Sequence, residues 1–89
     1  MRDHHAFFAV RINFMLPVLK AVEVIKTLLK AGFRIIRSRG SHFRFEHFLT
    51  KKRVTVSFHS KDVPKKTLGS ILKQANLSVQ EFIRHFRGK

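Results

Sequence analysis

The 89-residue chain contains no cysteine, no tryptophan and no tyrosine, and it has only two prolines, four glycines and five acidic residues. Without cysteine there are no disulfides and no thiolate zinc sites, which fits a reducing cytosol. Five carboxylates, with no paired-carboxylate arrangement, argue against a catalytic metal held by acids, and neither a Gly-rich phosphate loop nor a His-Glu-x-x-His motif occurs. No apolar run approaches the roughly 20 residues of a membrane span. The apolar N-terminus is cut by Arg11 and Asn13 and no small-residue cleavage site follows, so a signal peptide is not expected.

What the chain does have is positive charge. Nineteen Lys and Arg against five Asp and Glu give a formal charge of +14. Such a surface repels itself and attracts polyanions. Nucleic acid is the first partner to consider, an anionic membrane the second and an acidic protein the third. The hydrophobic fraction of 44% is ordinary, and the length sets one domain with a modest core.

Residues 1–14 differ from the rest. Val10, Ile12 and Phe14 alternate, which is compatible with a short strand, but Met15 opens a segment whose patterns are complete without them. The expectation is a disordered or misassigned extension over 1–14 and a single domain over 15–89. His4 and His5 have no third ligand nearby and read as a solvated tail.

From Val18 to Ala31 the spacing predicts a helix, its buried stripe being Val18, Val22, Ile25, Leu28 and Leu29, closed by Gly32. The first helical residue falls between Val18 and Ala21. Three strands follow, over Phe33–Ser38, His42–His47 and Arg53–Phe58, with a glycine turn at Arg39-Gly40. On the second strand His42, Arg44 and Glu46 share one face, and Phe43, Phe45 and His47 the other. On the third, Val54, Val56 and Phe58 point inward. His59 to Val63 reads as a polar loop. Pro64 starts a second helix with Leu68, Ile71, Leu72 and Ala75 buried, and lysines at 65 and 66 stand where acids are usual. That first turn, with its unpaired N–H groups, suits an anion better than a merely solvated turn. Asn76 ends the helix, and Ser78 with Glu81 forms a capping box for a short last helix bearing Phe82 and Phe86. The predicted fold is therefore α+β: a two-layer α-β-β-β-α sandwich with a short C-terminal helix, one sheet face left bare.

Histidine is the only neutral-pH acid or base available. Of the six, His85 reads as solvated and His47 as packed at a strand end, which leaves His42 and His59. A lone strand histidine is more often structural than catalytic. Metal-free chemistry is nevertheless open to a histidine among cations if the substrate is RNA. RNA brings its own nucleophile, the 2′-hydroxyl, and needs only alignment, proton transfer and charge stabilisation.

Several segments together resemble the HicA toxins, the mRNA-cleaving ribonucleases of bacterial and archaeal toxin–antitoxin pairs. They are Leu16-Pro17-Val18-Leu19, Lys26 to Phe33, Gly40-Ser41-His42, Val54-Thr55-Val56 with His59, and Thr67 to Ala75 with Leu77-Ser78. The resemblance runs from about Met15 to about Phe82. It departs from the usual pattern at Phe48-Leu49-Thr50-Lys51, Ser57 and Asn76, outside the Gly-Ser-His motif. It implies a fold similar to the double-stranded-RNA-binding domain, a catalytic histidine at His42, no metal or other cofactor, and a HicB-type antitoxin as partner. The expected site is thus His42 presented by Gly40 and Ser41, RNA held by Arg37, Arg39, Arg44, Lys65 and Lys66, and His59 as the second candidate, in a cytoplasmic protein with no membrane partner. The rival reading is an RNA-binding module without catalysis. A third, compatible with the first, is that the basic surface serves chiefly to dock an acidic antitoxin.

Overall fold

A computed structural model describes residues 18–88; the extension expected over 1–14 lies outside the described residues. The elements are β1 (Leu19–Lys20), α1 (Ala21–Lys30), β2 (Phe33–Arg39), β3 (His42–His47), β4 (Arg53–Ser57), β5 (Asp62–Val63), α2 (Lys65–Ala75) and α3 (Val79–Arg87). Strands β2, β3 and β4 form an antiparallel sheet in that order. The helices and the inner face of the sheet share one apolar core, so the chain is an α+β sandwich as its pattern predicts. No helix among the described residues is long and apolar enough to cross a membrane.

The core is built around fully buried Phe45, Phe82, Leu28, Leu68 and Ile71. Each such side chain contributes about 1.5–3 kcal/mol. The stripe of α2 is Leu68, Ile71, Leu72 and Ala75, as its spacing requires. That of α1 is rotated from the expected one. Val24, Thr27 and Leu28 are buried, whereas Val18, Val22 and Leu29 are exposed and Ile25 is half-buried. Thr27 explains the rotation. Its hydroxyl donates to the Glu23 carbonyl one turn back at 2.7 Å, so it can be buried without an unmet hydrogen bond.

The expected polar loop at 59–63 also contains structure. Leu19 pairs with Val63 and Lys20 with Asp62, and the Ala21 amide donates to the Lys61 carbonyl at 2.7 Å. This two-stranded clip ties the entry of α1 to the entry of α2 and buries Leu19 and Val63.

Helix ends follow the sequence closely. The Glu23 carboxylate accepts from the Lys20 amide at 2.8 Å at the start of α1. Asn76 takes the left-handed conformation after α2, and the Leu77 amide returns to the Leu72 carbonyl. At α3 the Ser78 hydroxyl accepts from the Glu81 amide and the Glu81 carboxylate accepts from the Ser78 amide. These bonds, the backbone one first, hold the Glu81 carboxyl below its usual range. The cap is therefore complete above the ordinary carboxylate pKa and is lost only as pH falls through the lowered one.

His47 joins α1 to the β3–β4 turn. Its Nδ1 accepts from the amides of Leu49 and Thr50 at 3.1 and 3.2 Å, so its proton is on Nε2, which donates to the Ala31 carbonyl at 3.1 Å. The ring lies edge-on to Phe33 with centroids 5.0 Å apart. This histidine packs rather than reacts. Gly32 stands beside it with φ +100, and a Cβ there would lie 2.7 Å from Nε2. Gly32→Ala combines a left-handed backbone, which costs about 1–2 kcal/mol, with displacement of the His47 ring. The expected loss is about 2 kcal/mol or more in urea unfolding; a variant within 0.5 kcal/mol of wild type would refute the bridging role of His47.

Candidate functional site

The site begins with the period of β3. Phe43 and Phe45 face the core, so His42, Arg44 and Glu46 face the side that carries no helix. Cross-strand pairing then extends each into a row. Arg34, Glu46 and Arg53 form the first row, Arg37, Arg44 and Thr55 the second, and Arg39, His42 and Ser57 the third. Directly opposite residues have Cβ atoms about 4.5–5.5 Å apart.

A bulge makes this arrangement possible. In regular alternation Arg34 would lie opposite in face to Arg37 and Arg39. The register shifts between Ile35 and Arg37, leaving Ile36 as the extra residue, and all three arginines reach one face. The consecutive apolar pair Ile35-Ile36, each 40% exposed, was the available signal. Period-2 reasoning alone misses it.

The rows differ in charge. Glu46 sits between Arg34 and Arg53, at 3.8 and 3.2 Å. Of the other described acids, Glu23 and Glu81 are committed to helix caps and Asp62 lies in β5. Among the described residues no carboxylate pairs with Arg37, Arg39 or Arg44. All three are exposed, as is His42. The second and third rows are thus an uncompensated basic field with one imidazole in it.

The loop that presents His42 is Gly40-Ser41, since Arg39 already pairs with His42. Gly40 has φ +58 at the first loop position and Ser41 does not have positive φ, so the one position that disfavours a side chain is filled by glycine. The Ser41 carbonyl accepts from the Phe58 amide at 2.9 Å, and Phe58 packs edge-on against Phe43 at 5.6 Å. These contacts anchor the loop to the core. They also bring exposed His59, next in the chain, to the same end of the sheet. Lys65 and Lys66 are exposed in the first turn of α2, which holds no acid. Both lie on the helix that packs against β4, and Lys66 lines a crevice together with Thr55 and Ser57, the β4 ends of the second and third rows. His85, read as solvated, is half-buried on α3.

The order of these elements is that of a known family. A family model described as HicA toxin of bacterial toxin–antitoxin systems matches residues 21–77, from the start of α1 to two residues past the end of α2. The chain belongs to the HicA toxin family. Comparison with curated proteins finds no match. Membership makes the chain the toxin component of a toxin–antitoxin pair, and the HicA match takes in every row of the basic face, the Gly40-Ser41 loop, His59 and both lysines. It leaves out β1 and α3, so the clip to β5 and the last helix belong to the frame around the HicA segment rather than to the matched part.

Gly40 offers a direct test of the loop. A Cβ there meets no atom within 4 Å, so Gly40→Ala carries only the conformational cost of positive φ. The variant should fold and lose about 1–2 kcal/mol, read as a fall of several degrees in melting temperature. An unchanged melting temperature would mean the loop does not hold the left-handed conformation.

Proposed function

We propose that this HicA-family chain is a metal-independent endoribonuclease that cleaves mRNA, with His42 as the proton-transfer group, and that a HicB-type antitoxin inhibits it in the cytoplasm. The observation that carries the reading is the exposed imidazole of His42 on a bare sheet face, one residue pair from Arg39 and one row from Arg37 and Arg44. Fixed cations draw the phosphate backbone onto that face. They also stabilise the extra negative charge that develops on phosphorus.

The reaction needs no outside nucleophile. The 2′-oxygen bonds to the adjacent phosphorus and the bond from phosphorus to the 5′-oxygen breaks. The proton leaves the 2′-hydroxyl and one is delivered to the departing 5′-oxygen, with His42 as base, acid or both in turn. The products are a 2′,3′-cyclic phosphate and a 5′-hydroxyl. Gly40 and Ser41 present the imidazole, Arg37, Arg39 and Arg44 hold the phosphates, and Lys65 and Lys66 extend the hold along α2. His59, at the same end of the sheet, is the second candidate for the proton.

Two measurements test the proposal. In EDTA, His42→Ala should lose roughly 100- to 10,000-fold in cleavage rate while melting as wild type, because the side chain is exposed. Equal cleavage by both proteins would pass the role to His59, and no cleavage by wild type in EDTA would leave an RNA-binding module. Replacing Arg37, Arg39 and Arg44 together by Gln should flatten the log–log dependence of RNA affinity on salt by about 2, three contacts at roughly 0.7 each on single strands. An unchanged slope would mean that RNA does not meet the sheet face.

A further inference from the structure

Beside the basic rows, between β4 and α2, the surface folds into a crevice of about 330 Å³. Its polar lining is Thr55, Ser57, Lys66, Thr67, Ser70 and Gln74, with the buried Val56 and Ile71 beneath. We infer that this crevice is a nucleoside-binding subsite, which holds the nucleotide next to the phosphate at His42 and sets the sequence at which the strand is cut. The inference rests on the nuclease reading above and adds what that reading lacks, a place for a base.

Position is the first argument. Ser57 is both the cross-strand partner of His42 and a wall of the crevice. The row Arg39, His42, Ser57 therefore runs directly to the crevice mouth. A strand whose phosphate sits over the first two has its neighbouring nucleoside at the third. Lys66, on the far wall, is an ammonium for the next phosphate.

Chemistry is the second. The lining has hydroxyls, one ammonium and no carboxylate, which suits an anionic, hydrogen-bonding ligand and not a cation. A hydroxylated lining fits the polar edge of a base. The Ser57 hydroxyl is buried and has no hydrogen-bond partner. Such a group has lost water and gained nothing in return, and rotation of the Ser57 hydroxyl toward a ligand in the crevice would give it a partner.

Gln74 competes with an added peptide strand at the centre of this edge. Its amide oxygen accepts from the Thr55 amide at 3.0 Å and its amide nitrogen donates to the Thr55 carbonyl at 3.3 Å. The backbone pair that a peptide would need at this edge is already taken. Side-chain hydroxyls are what the crevice has left to offer, and they can read a base.

The test fills the crevice without changing charge. Ser70 is exposed, so Ser70→Phe adds bulk there and leaves the core alone. Gln80→Phe on α3 is the control for bulk. In the inactive His42→Gln background of the full chain, the four homopolymeric RNA tetranucleotides should bind unequally. Ser70→Phe should weaken the best of them tenfold or more and level the differences, with the salt slope unchanged. With active protein on random-sequence RNA, Ser70→Phe should relax the base preference at one position beside the cut. Tetranucleotide affinities and a cut-site profile equal to those of wild type would overturn the subsite. Should Ser70→Phe fail to fold, Ser70→Gln fills the same space without apolar surface and is read in the same way. If wild type cuts no RNA under any condition, the nuclease reading falls, while the tetranucleotide binding still decides the crevice.

Discussion

Phe45 has no exposed surface and sits on the middle strand of the sheet, with Val54 and Ile35 opposite it on either side. Its burial against the helices fixes which face of β3 is inside. Because side chains alternate along a strand, the same contact fixes His42, Arg44 and Glu46 outside. A slip of one residue would bury an arginine, a glutamate and an imidazole and expose two phenylalanines. The cost of such a slip is many times the few kcal/mol that separate folded from unfolded chains of this size. Register, core and basic face are therefore one constraint.

That face is not free of cost to the protein. Arg37 stands directly opposite Arg44, and like charges so placed are destabilising. Only the first row is relieved, by Glu46 between its two arginines. Of the four described acids, two are spent on helix caps and one on that row. The apolar core has to carry the rest. A polyanion laid on the face would remove the same repulsion, so such a ligand would stabilise the folded chain. The proposed reading of the face draws on this coupling.

Much of this was legible in the residues. The α2 stripe, the left-handed Asn76, the Ser78–Glu81 box and the glycine before Ser41-His42 each have a local cause that a short window contains. His47 was legible as a packing residue from its parity with Phe43 and Phe45. What was hidden depended on partners distant in sequence or on exceptions to a period. Thr27 looks polar and is buried, because its hydroxyl bonds within its own helix. The β1–β5 clip joins strands of two residues, too short to show any alternation. The bulge at Ile36 breaks the period on which face assignment rests, so Arg34 and the pair Arg37 and Arg39 could not be placed together beforehand. At the candidate site, the residues were named from sequence, but their arrangement into rows and the crevice beside them came from pairing geometry.

Gln74 ends the sheet with a side chain. A primary amide has the same donor and acceptor as a peptide group, and here one such amide occupies the place of a whole fourth strand at Thr55. The sheet is thereby asymmetric in what it can recruit. On the β4 side, growth stops at a single residue held by a helix. On the β2 side, the outer strand is flanked by arginines that repel another copy of itself. A three-stranded sheet with one edge plugged and the other electrostatically guarded is a poor seed for edge-to-edge assembly.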